Sequence, residues 1–287
     1  MNKETALVTG ASSGIGLHLA HEFARHGHPL VIAGPVQSEL ETAAEEFRSE
    51  HGVEVRVVAK DLEQENSAQE IFDELQAAGV EVDILVNNAG HGFHGKWWEL
   101  SLEKDLSMIR LNIEAVMRMT KLFLPPMLQR HRGRVLNTAS VAGFMPGPML
   151  ATYYATKAFV LSWSEALATE LDDTPITVTA LCPGVTDTDF FEKGDAENIK
   201  ARQSSNVMSP QDVAKEGYKA LMDEELFVIP GAANKAMVAT RRILPVTTQA
   251  KLNEKMNSNV PPEKATHERG EKARSSDQPK VNYPRTT

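Results

Sequence analysis

The chain has 287 residues, of which 41% are hydrophobic and 24% are charged, the balance of an ordinary globular protein. Its net charge of −9 argues against a nucleic-acid partner, because an acidic body repels phosphate backbones. No apolar run approaches the roughly 20 residues that span a bilayer, so we expect no membrane partner either.

The cysteine count and the charge distribution limit the expected cellular location and the way in which a phosphate could be bound. Cys182 is the only cysteine, which excludes an intrachain disulfide framework, and the opening stretch MNKETALVTG has no signal-peptide core. We therefore expect a cytoplasmic location. Residues 1–246 carry 22 Lys or Arg against 34 Asp or Glu, so any phosphate bound there must be held by local backbone geometry.

Taken in chain order, short apolar runs alternate with longer amphipathic ones. The predicted strands are TALVTG, PLVIAG, VEVRVVA, VDILVNNAG, GRVLNTAS, ITVTALCPG and LFVIPG. Helical stretches such as IGLHLAHEFARHG and SELETAAEEFRSEHG lie between them. Strands that alternate with helices indicate a parallel sheet that is covered on both faces. We predict a doubly wound, Rossmann-type α/β fold, with a single domain over residues 1–245.

The composition changes near residue 245. LPVTTQAKLNEKMNSN has the pattern of a last helix, and the remainder is polar, punctuated by proline and poor in large apolar groups. Such a segment cannot bury enough surface to order itself. Residues 246–287 are therefore predicted to be a C-terminal helix and a polar tail, which is mobile unless a partner or another subunit holds it.

A glycine-rich turn, TGASSGIG at residues 9–16, joins the first strand to the first helix. Glycines at positions 10, 14 and 16 allow a tight turn, a close approach of backbone amides to a pyrophosphate, and close packing of helix on strand. No Lys-Ser or Lys-Thr follows the last glycine, which argues against a P-loop. The turn predicts dinucleotide binding at the start of this helix.

The stretch YYATK places two tyrosines beside one lysine. Tyr153 lies four residues before Lys157 and Tyr154 lies three before it, and both spacings bring side chains together on a helix. A tyrosine and a lysine held together out of water shift each other's pKa and can move protons. A buried ring beside a solvated charge is the alternative, and spacing alone does not choose between the two tyrosines.

Five motifs occur together in the chain. They are TGxxxGxG at residues 9–16, NNAG at 87–90, Ser140, Tyr153-x-x-x-Lys157 and PGVTDT at 183–188. In these motifs residues 4–245 resemble the single-domain branch of the short-chain dehydrogenase/reductase family. The resemblance implies an NAD(P)-dependent oxidoreductase that transfers a hydride between nicotinamide and a carbonyl or secondary alcohol.

The resemblance also implies the catalytic residues. Tyr153 matches the family's active-site tyrosine, a general acid/base, while Tyr154 is expected to be a packing or pocket residue. Lys157 would favour the phenolate, bring the pKa of Tyr153 closer to neutral and bind the nicotinamide ribose. Ser140 would hold the substrate oxygen, and Asn112 would position a water in a proton relay to the lysine.

The cofactor contacts follow from the same resemblance. Asp61 would accept a hydrogen bond from the adenine amino group, and Thr188 would bond the nicotinamide carboxamide. The implied cofactor-binding residues are Gly10, Ser12, Ser13, Gly14, Ile15, Gly16, Asp61, Leu62, Asn88, Ala89, Gly90, Tyr153, Lys157, Pro183, Gly184 and Thr188. His91 and His94 are expected to be polar residues at the rim of the substrate site. No metal site is expected, because no third ligand clusters near them.

One position departs from the family pattern. Members that prefer NAD usually carry an Asp after the second strand, and members that prefer NADP usually carry an Arg one residue later. Gly34 and Pro35 occupy these two positions. Neither has a carboxylate to bind the ribose hydroxyls or a guanidinium to bind a 2′-phosphate. Gln37 and Ser38 can still donate hydrogen bonds near the next helix start. The preference stays open, and we favour NADP over NAD.

The segments that line the substrate in the family are partly apolar in this chain. The first is VAGFMPGPML, which contains Phe144. The second is residues 185–208, which contain Phe190 and are expected to form a mobile lid. Ser140 and Tyr153 complete the expected substrate-binding set. The sequence has no arginine cluster in these segments to clamp a carboxylate or phosphate. An apolar or weakly polar ketone, aldehyde or secondary alcohol is the expected substrate.

The chain is expected to form a homodimer or homotetramer through helices at about residues 102–129 and 151–173, which carry apolar residues on more than one face. An alternative function is a non-catalytic, dinucleotide-sensing regulatory protein, and the complete set of Ser140, Tyr153 and Lys157 counts against it. A third, an enzyme anchored to a membrane surface by its basic C-terminal segment, lacks the apolar face that such anchoring needs.

Overall fold

The computed structural model of the protein describes residues 3–194, 196, 198–204, 206–240 and 243–260. The polar tail predicted beyond residue 260 lies outside these described residues. Within the described ranges, no helix combines the length and the apolar character that crossing a bilayer demands.

Among the described residues, seven parallel strands form one sheet. The strands are β1 (Ala6–Thr9), β2 (Leu30–Gly34), β3 (Val55–Ala59), β4 (Ile84–Asn87), β5 (Gly133–Thr138), β6 (Ile176–Leu181) and β7 (Phe227–Val228). Their order across the sheet is β3-β2-β1-β4-β5-β6-β7, with every neighbouring pair parallel. Each predicted strand is present, and the predicted doubly wound α/β fold is confirmed.

Helices connect the strands and cover the sheet. They are α1 (Gly14–Arg25), α2 (Gln37–His51), α3 (Ser67–Ala77), α4 (Leu102–Ile109), α5 (Ala115–Gln129), α6 (Ala151–Glu170), α7 (Phe190–Lys193), α8 (Pro210–Met222), α9 (Ala232–Thr240) and α10 (Val246–Asn257). A π-helical turn, Arg110–Glu114, joins α4 to α5. The helix expected over 102–129 is therefore interrupted near its middle.

Both faces of the sheet are buried because alternate strand residues point to opposite sides and most of them are apolar. Val8 packs with Phe23 of α1 and Leu221 of α8 on one face. Leu7 packs with Phe123 of α5 on the other. The helices are thereby held in fixed positions over the strand ends.

The sheet order reverses between β1 and β4, which are neighbours at its centre. In a doubly wound sheet, ligands bind in the crevice at the carboxyl ends of the strands beside this switch point. The glycine turn follows β1, NNAG overlaps the end of β4, Ser140 follows β5, and Pro183 follows β6. Four of the five motifs therefore converge on one edge of the sheet.

The predicted C-terminal helix is present as α10, and its end packs on the substrate side of the molecule. Nδ2 of Asn257 donates to the carbonyl oxygen of Pro148 at 2.9 Å. The carbonyl oxygen of Ser258 accepts from the N–H of Lys200 at 3.0 Å, and the N–H of Val260 donates to the segment that contains Lys200. Residues 246–260 thus pack on the described part of the lid, which their composition did not indicate.

Candidate active site

The turn after β1 has a backbone that only glycine adopts without strain at two positions. Gly10 and Gly14 have φ angles of +66° and +56°, and a Cβ at Gly16 would lie 2.2 Å from the carbonyl oxygen of Gly10. Ser13, which precedes α1, makes no side-chain cap hydrogen bond. The first amides of α1 are therefore left to a ligand, and the turn fits a pyrophosphate.

The NNAG loop is tied to the glycine turn through Thr9. Oγ1 of Thr9 accepts from the N–H groups of Asn88 and Ala89 at 2.9 and 3.0 Å, and Nδ2 of Asn88 donates to the Thr9 carbonyl at 3.0 Å. A Cβ at Gly90 would lie 3.4 Å from Nζ of Lys157. Gly90 therefore keeps the floor of the crevice open beside the lysine.

The remaining implied cofactor-binding residues lie at the same edge. Asp61 is exposed, and its carboxylate accepts from the N–H of Glu63 at 3.0 Å, which orients it. Thr188 lies over the glycine turn, because a Cβ at Gly14 would be 3.2 Å from its Cγ2. Ser12, Ile15, Leu62, Pro183 and Gly184 lie in or beside the turns after the strands. The arrangement fits a dinucleotide across the switch point.

Ser140, Tyr153 and Lys157 meet beyond the end of β5. Ser140 follows this strand, while Tyr153 and Lys157 lie one turn apart on α6. The hydroxyl of Tyr153 is within hydrogen-bonding reach of the Ser140 side chain, whose Oγ donates to the Pro183 carbonyl at 3.2 Å. Nζ of Lys157 lies 5.9 Å from the centre of the Tyr153 ring. The ammonium of Lys157 donates to the carbonyl oxygen of Thr138 at 2.8 Å. Thr138, the last residue of β5, was not identified from the sequence, because its contact uses only a backbone atom.

Tyr154 faces away from this group. Its hydroxyl lies 3.5 Å from Oδ1 of Asn257, and a Cβ at Gly147 would be only 2.3 Å from its ring. Its ring packs edge-on at 6.1 Å from that of Tyr153. Of the two tyrosines, only Tyr153 contacts Ser140.

Burial controls the ionisation of the buried pair. It raises the pKa of Tyr153 above its ordinary value, and the hydrogen bond with Ser140 opposes this only in part. Burial also lowers the pKa of Lys157 to about 8. Burial is the largest effect on the pKa of Tyr153, and the ammonium of Lys157 is directed at Thr138, so the effect of Lys157 on that pKa stays a prediction. Tyr153 is a protonated phenol at neutral pH.

Asn112 lies in the π-helical turn and is 1% exposed. Its Nδ2 donates to the His91 carbonyl at 2.8 Å and to Oγ1 of Thr156 at 3.1 Å, and its Oδ1 accepts from the His91 N–H at 3.0 Å. Such π-helical turns are frequent at functional sites. Asn112 therefore links the loop after β4 to α6, and its part in a water relay stays a prediction.

His91 and His94 are mostly buried, so the expectation that they are rim residues is corrected. Nε2 of His91 lies 2.9 Å from Oγ of Ser107, and burial together with the charge of Lys157 lowers its pKa to about 4. Nε2 of His94 lies 2.7 Å from the carbonyl oxygen of Asn257. The partner of His94 is 163 positions away in the chain, and nothing local to the loop indicates such a contact.

Phe190 forms a wall on the substrate side. Its ring centre lies 5.2 Å from that of Tyr153. A Cβ at Gly92 would be 2.8 Å from the Tyr153 ring and 3.0 Å from Phe190, so Gly92 leaves space for both rings. The N–H of His94 donates to the carbonyl of Gly194 at 2.9 Å. The described part of the lid is thus closed against the loop after β4.

Phe144 packs in the core, and its part in substrate binding stays a prediction. It is 8% exposed, and its ring centre lies 6.1 Å from that of Phe227 on β7. It packs in a cluster with Ala139, Val160, Leu161, Ala180, Cys182 and Ile229. An apolar side chain suits a core and a substrate pocket equally well, so its chemistry could not separate the two.

Gly34 and Pro35, the two uncharged residues that replace the family's Asp or Arg, lie at the cofactor-binding edge of the sheet. Gly34 ends β2, and Pro35 is exposed. Nε2 of Gln37 donates to Glu41 one helical turn later at 2.8 Å, so this amide is already engaged. A Cβ at Gly34 would meet the Leu40 side chain at 3.5 Å, an ordinary contact, and a larger residue therefore fits there.

A parallel sheet with a phosphate-binding turn at its switch point, beside a buried serine, tyrosine and lysine, defines a dinucleotide-dependent oxidoreductase. A family model described as short chain dehydrogenase matches residues 4–199. The chain belongs to this family.

Curated relatives agree with this membership. The chain is 37% identical over 177 residues to a protein of Aspergillus fumigatus named very-long-chain 3-oxoacyl-CoA reductase, an alignment that covers 60% of this chain and 51% of that protein. The chain thus spans about half the length of the curated relatives that it matches.

Solved structures cover more of the chain. A short-chain dehydrogenase from Sphingobium yanoikuyae in complex with NADPH has 32% identity and a TM-score of 0.75, covering 83% of this chain and 94% of that one. A short-chain dehydrogenase/reductase from Burkholderia phymatum in complex with NAD has 26% identity and a TM-score of 0.76, covering 91% of this chain and 98% of that one.

These similarities confirm the predicted family and the fold class. The bound NADPH and NAD belong to the two solved structures, and the reductase name belongs to the Aspergillus fumigatus protein. The similarities give no support to the non-catalytic regulatory alternative, because the relatives carry the names of enzymes. The choice between NAD and NADP stays a prediction.

Proposed function

We propose that this protein interconverts a carbonyl compound and a secondary alcohol with NAD(P), and that Tyr153 is its general acid/base. One observation carries the proposal: the side chains of Ser140, Tyr153 and Lys157 lie together at the edge where the dinucleotide turn lies. A protein that only sensed a dinucleotide would have no use for this group in the crevice.

Each side chain has a distinct part in the reaction. The side chains of Ser140 and Tyr153 are neighbours. Both would bond the substrate oxygen and stabilise the negative charge that develops on it, with Ser140 giving up its bond to the Pro183 carbonyl. Bound nicotinamide supplies the hydride for reduction or accepts it in oxidation. Tyr153, protonated at neutral pH because burial raises its pKa, donates its proton to that oxygen. Lys157, charged below a pKa of about 8, stabilises the phenolate left behind.

The substrate side favours an apolar group over an anion. Phe190 faces Tyr153, and Phe191 packs with the buried part of the lid. The buried guanidinium of Arg202 lies 3.2 Å from the Glu192 carboxylate, so its charge is compensated inside the lid. A ketone with a bulky apolar substituent fits these walls. The name of the Aspergillus fumigatus relative adds a specific class to test, the 3-oxoacyl thioesters with long alkyl chains.

Cofactor absorbance tests the proposal directly. Purified full-length protein would be given NADPH or NADH with small ketoses, bulky ketones and 3-oxoacyl thioesters of increasing chain length. We expect turnover with an apolar carbonyl compound and its loss in Tyr153→Phe. Tight cofactor binding without turnover across the panel would contradict the proposal.

We also propose that the chain forms a homodimer or homotetramer. The region before and along α4 exposes Trp97 (58%), Trp98 (75%) and Leu102 (67%), a large apolar area for a monomer to leave in water. Trp97 also borders a groove with Ile109 and Phe159, which joins this area to α6. Light scattering that gave a mass near 31.5 kDa at every concentration would reject the proposal.

A further inference from the structure

Away from the active site, two helices bring two histidines and a carboxylate to one point. His21 lies on α1, and Glu50 and His51 are the last residues of α2. Nδ1 of His21 is 3.4 Å from Nε2 of His51 and 4.0 Å from Oε2 of Glu50, and these last two atoms are 3.8 Å apart. The three distances join the same three atoms, which therefore form a triangle with one potential ligand atom at each corner.

The dimensions of this triangle match those of a metal site. Zinc binds histidine nitrogen and carboxylate oxygen at about 2.0–2.2 Å, which places neighbouring ligand atoms of a tetrahedral site about 3.3 Å apart. A point equidistant from the three atoms lies about 2.2 Å from each of them. Closure around an ion therefore requires movements of only a few tenths of an ångström, mainly in the half-exposed side chain of Glu50.

A second carboxylate orients the first histidine. Oε1 of Glu46, one turn before Glu50 on α2, lies 3.4 Å from Nε2 of His21. A proton on Nε2 is favoured there, which leaves Nδ1 unprotonated and directed at His51. Carboxylates that hold the outer nitrogen of a ligand histidine in this way are the usual support of zinc sites.

The triangle is covered by a packed aromatic ring on one side and is open to solvent on the other. The ring of Phe47 packs edge-on against His21 at 4.7 Å, while the side chains of His21, His51 and Glu50 are 20%, 18% and 55% exposed. An ion can reach the triangle from solvent, and water can complete its coordination. A long hydrogen bond between the two imidazoles, at 3.4 Å, is the alternative explanation, and a metal titration separates it from metal binding.

We propose that His21, Glu50 and His51 bind a divalent ion of the zinc type, with water as the fourth ligand. The ion would join the C-terminal half of α1 to the end of α2. Because α1 begins at the glycine turn, this link stabilises the first β-α-β-α segment of the cofactor half without contacting the reacting groups. The sequence predicts no metal site, since the two histidines are 30 positions apart.

Metal titration of the full-length protein, after treatment with a chelator, tests the proposal. Co²⁺ should give the intense visible absorption of tetrahedral coordination at one equivalent, and Zn²⁺ should displace it. Zn²⁺ at about a hundred times its Kd should raise the Tm by about 5 °C or more. His51→Ala and Glu50→Gln should abolish or strongly weaken binding, and Glu46→Gln should weaken it about 10- to 100-fold.

His131→Asn is the matched control, since it removes one exposed histidine far from the triangle, and asparagine tolerates the φ of 51° at that position. It should bind Co²⁺ as the wild type does, and all the variants should keep their turnover. Absence of the tetrahedral spectrum would overturn the proposal. Equal binding by His51→Ala and wild type, or an equal loss in His131→Asn, would show binding by scattered surface histidines and would overturn it as well.

Discussion

The cofactor half and the substrate half of the crevice are built in different ways. The cofactor half depends on backbone: the φ angles of Gly10 and Gly14 and the close approach at Gly16 lie within one turn of chain. The substrate half depends on side chains and termini from distant segments, such as Phe190 in the lid and Asn257 at the end of α10. The glycine turn is a local structure, whereas the substrate half exists only when the chain has folded.

Because of this difference, we expect substitutions to change either the KM for the carbonyl compound or the binding of the cofactor, but not both. A substitution in the substrate half should change KM for the carbonyl compound and leave the cofactor unaffected, and the reverse should hold for the cofactor half. Tyr153 and Lys157 lie where the two halves meet, so they should affect the reaction most.

The largest effect is expected at Tyr153. Tyr153→Phe removes the proton donor and should lower kcat by about 10²- to 10⁴-fold, while the Kd for NADPH changes by no more than a few-fold. Tyr154→Phe is the matched control on the adjacent residue, and it should keep most of the activity. Stopped-flow turnover and cofactor fluorescence measure the two quantities. Comparable losses of kcat in both variants would contradict the assignment of Tyr153 as the general acid/base.

The dependence of rate on pH should show which form of Tyr153 is present. Since burial raises the pKa of Tyr153, the proton donor is available throughout the neutral range. Reduction should therefore hold its rate up to about pH 8, where Lys157 begins to lose its charge. Oxidation needs the rare phenolate, so its kcat/KM should rise by about tenfold per pH unit between pH 6 and 8.

Rate profiles in both directions on one substrate pair provide this measurement. Lys157→Ala should lose rate and weaken cofactor binding together. An oxidation rate that fell between pH 6 and 8 would contradict the protonated ground state of Tyr153.

A smaller effect is expected at the cofactor edge. Pro35→Arg adds a charged donor for the 2′-phosphate, and a hydrogen bond of this kind contributes about 1.5–3 kcal/mol, so kcat/KM should shift towards NADPH by about 10- to 100-fold. Gly34→Asp should shift it towards NADH, and the ordinary 3.5 Å contact with Leu40 indicates that the fold accepts the change. Kinetics with both cofactors measure the ratio.

Both variants should keep the rate at saturation with the preferred cofactor, because neither position approaches the nicotinamide. Discrimination by thousands-fold in the wild type would mean that another residue recognises the phosphate. The neutral interpretation of Gly34 and Pro35 would then be wrong.

The smallest effect is expected at the end of α10. Asn257→Ala removes the buried hydrogen bond to the Pro148 carbonyl and should loosen the substrate side, raising KM for the carbonyl compound about five- to tenfold. Asn253→Ala is the matched control, because Asn253 donates a similar bond of 2.8 Å to the Pro146 carbonyl and that bond is exposed to solvent. KM for NADPH should be unchanged in both. Equal effects of the two substitutions would argue against a special role for Asn257.

The sequence by itself determined the sheet, its order of elements and the cofactor edge. Continuous apolar runs identify doubly buried strands, and the glycines at positions 10, 14 and 16 are restricted by backbone geometry within a few residues. Such restrictions are local, so they are visible in the residue types themselves. Placing Tyr153, Ser140 and Lys157 together needed only the family resemblance, and the structure then showed which tyrosine contacts Ser140.

Only the tertiary structure decided the contacts between distant segments. It buried Phe144 in the core, directed His94 to Asn257, raised the pKa of Tyr153 through burial, and brought His21 to Glu50 and His51. Each of these depends on how far a side chain is removed from water or on which remote residue is packed beside it. Neither quantity is a property of a short stretch of sequence, because burial and packing arise when the whole chain has closed around the sheet.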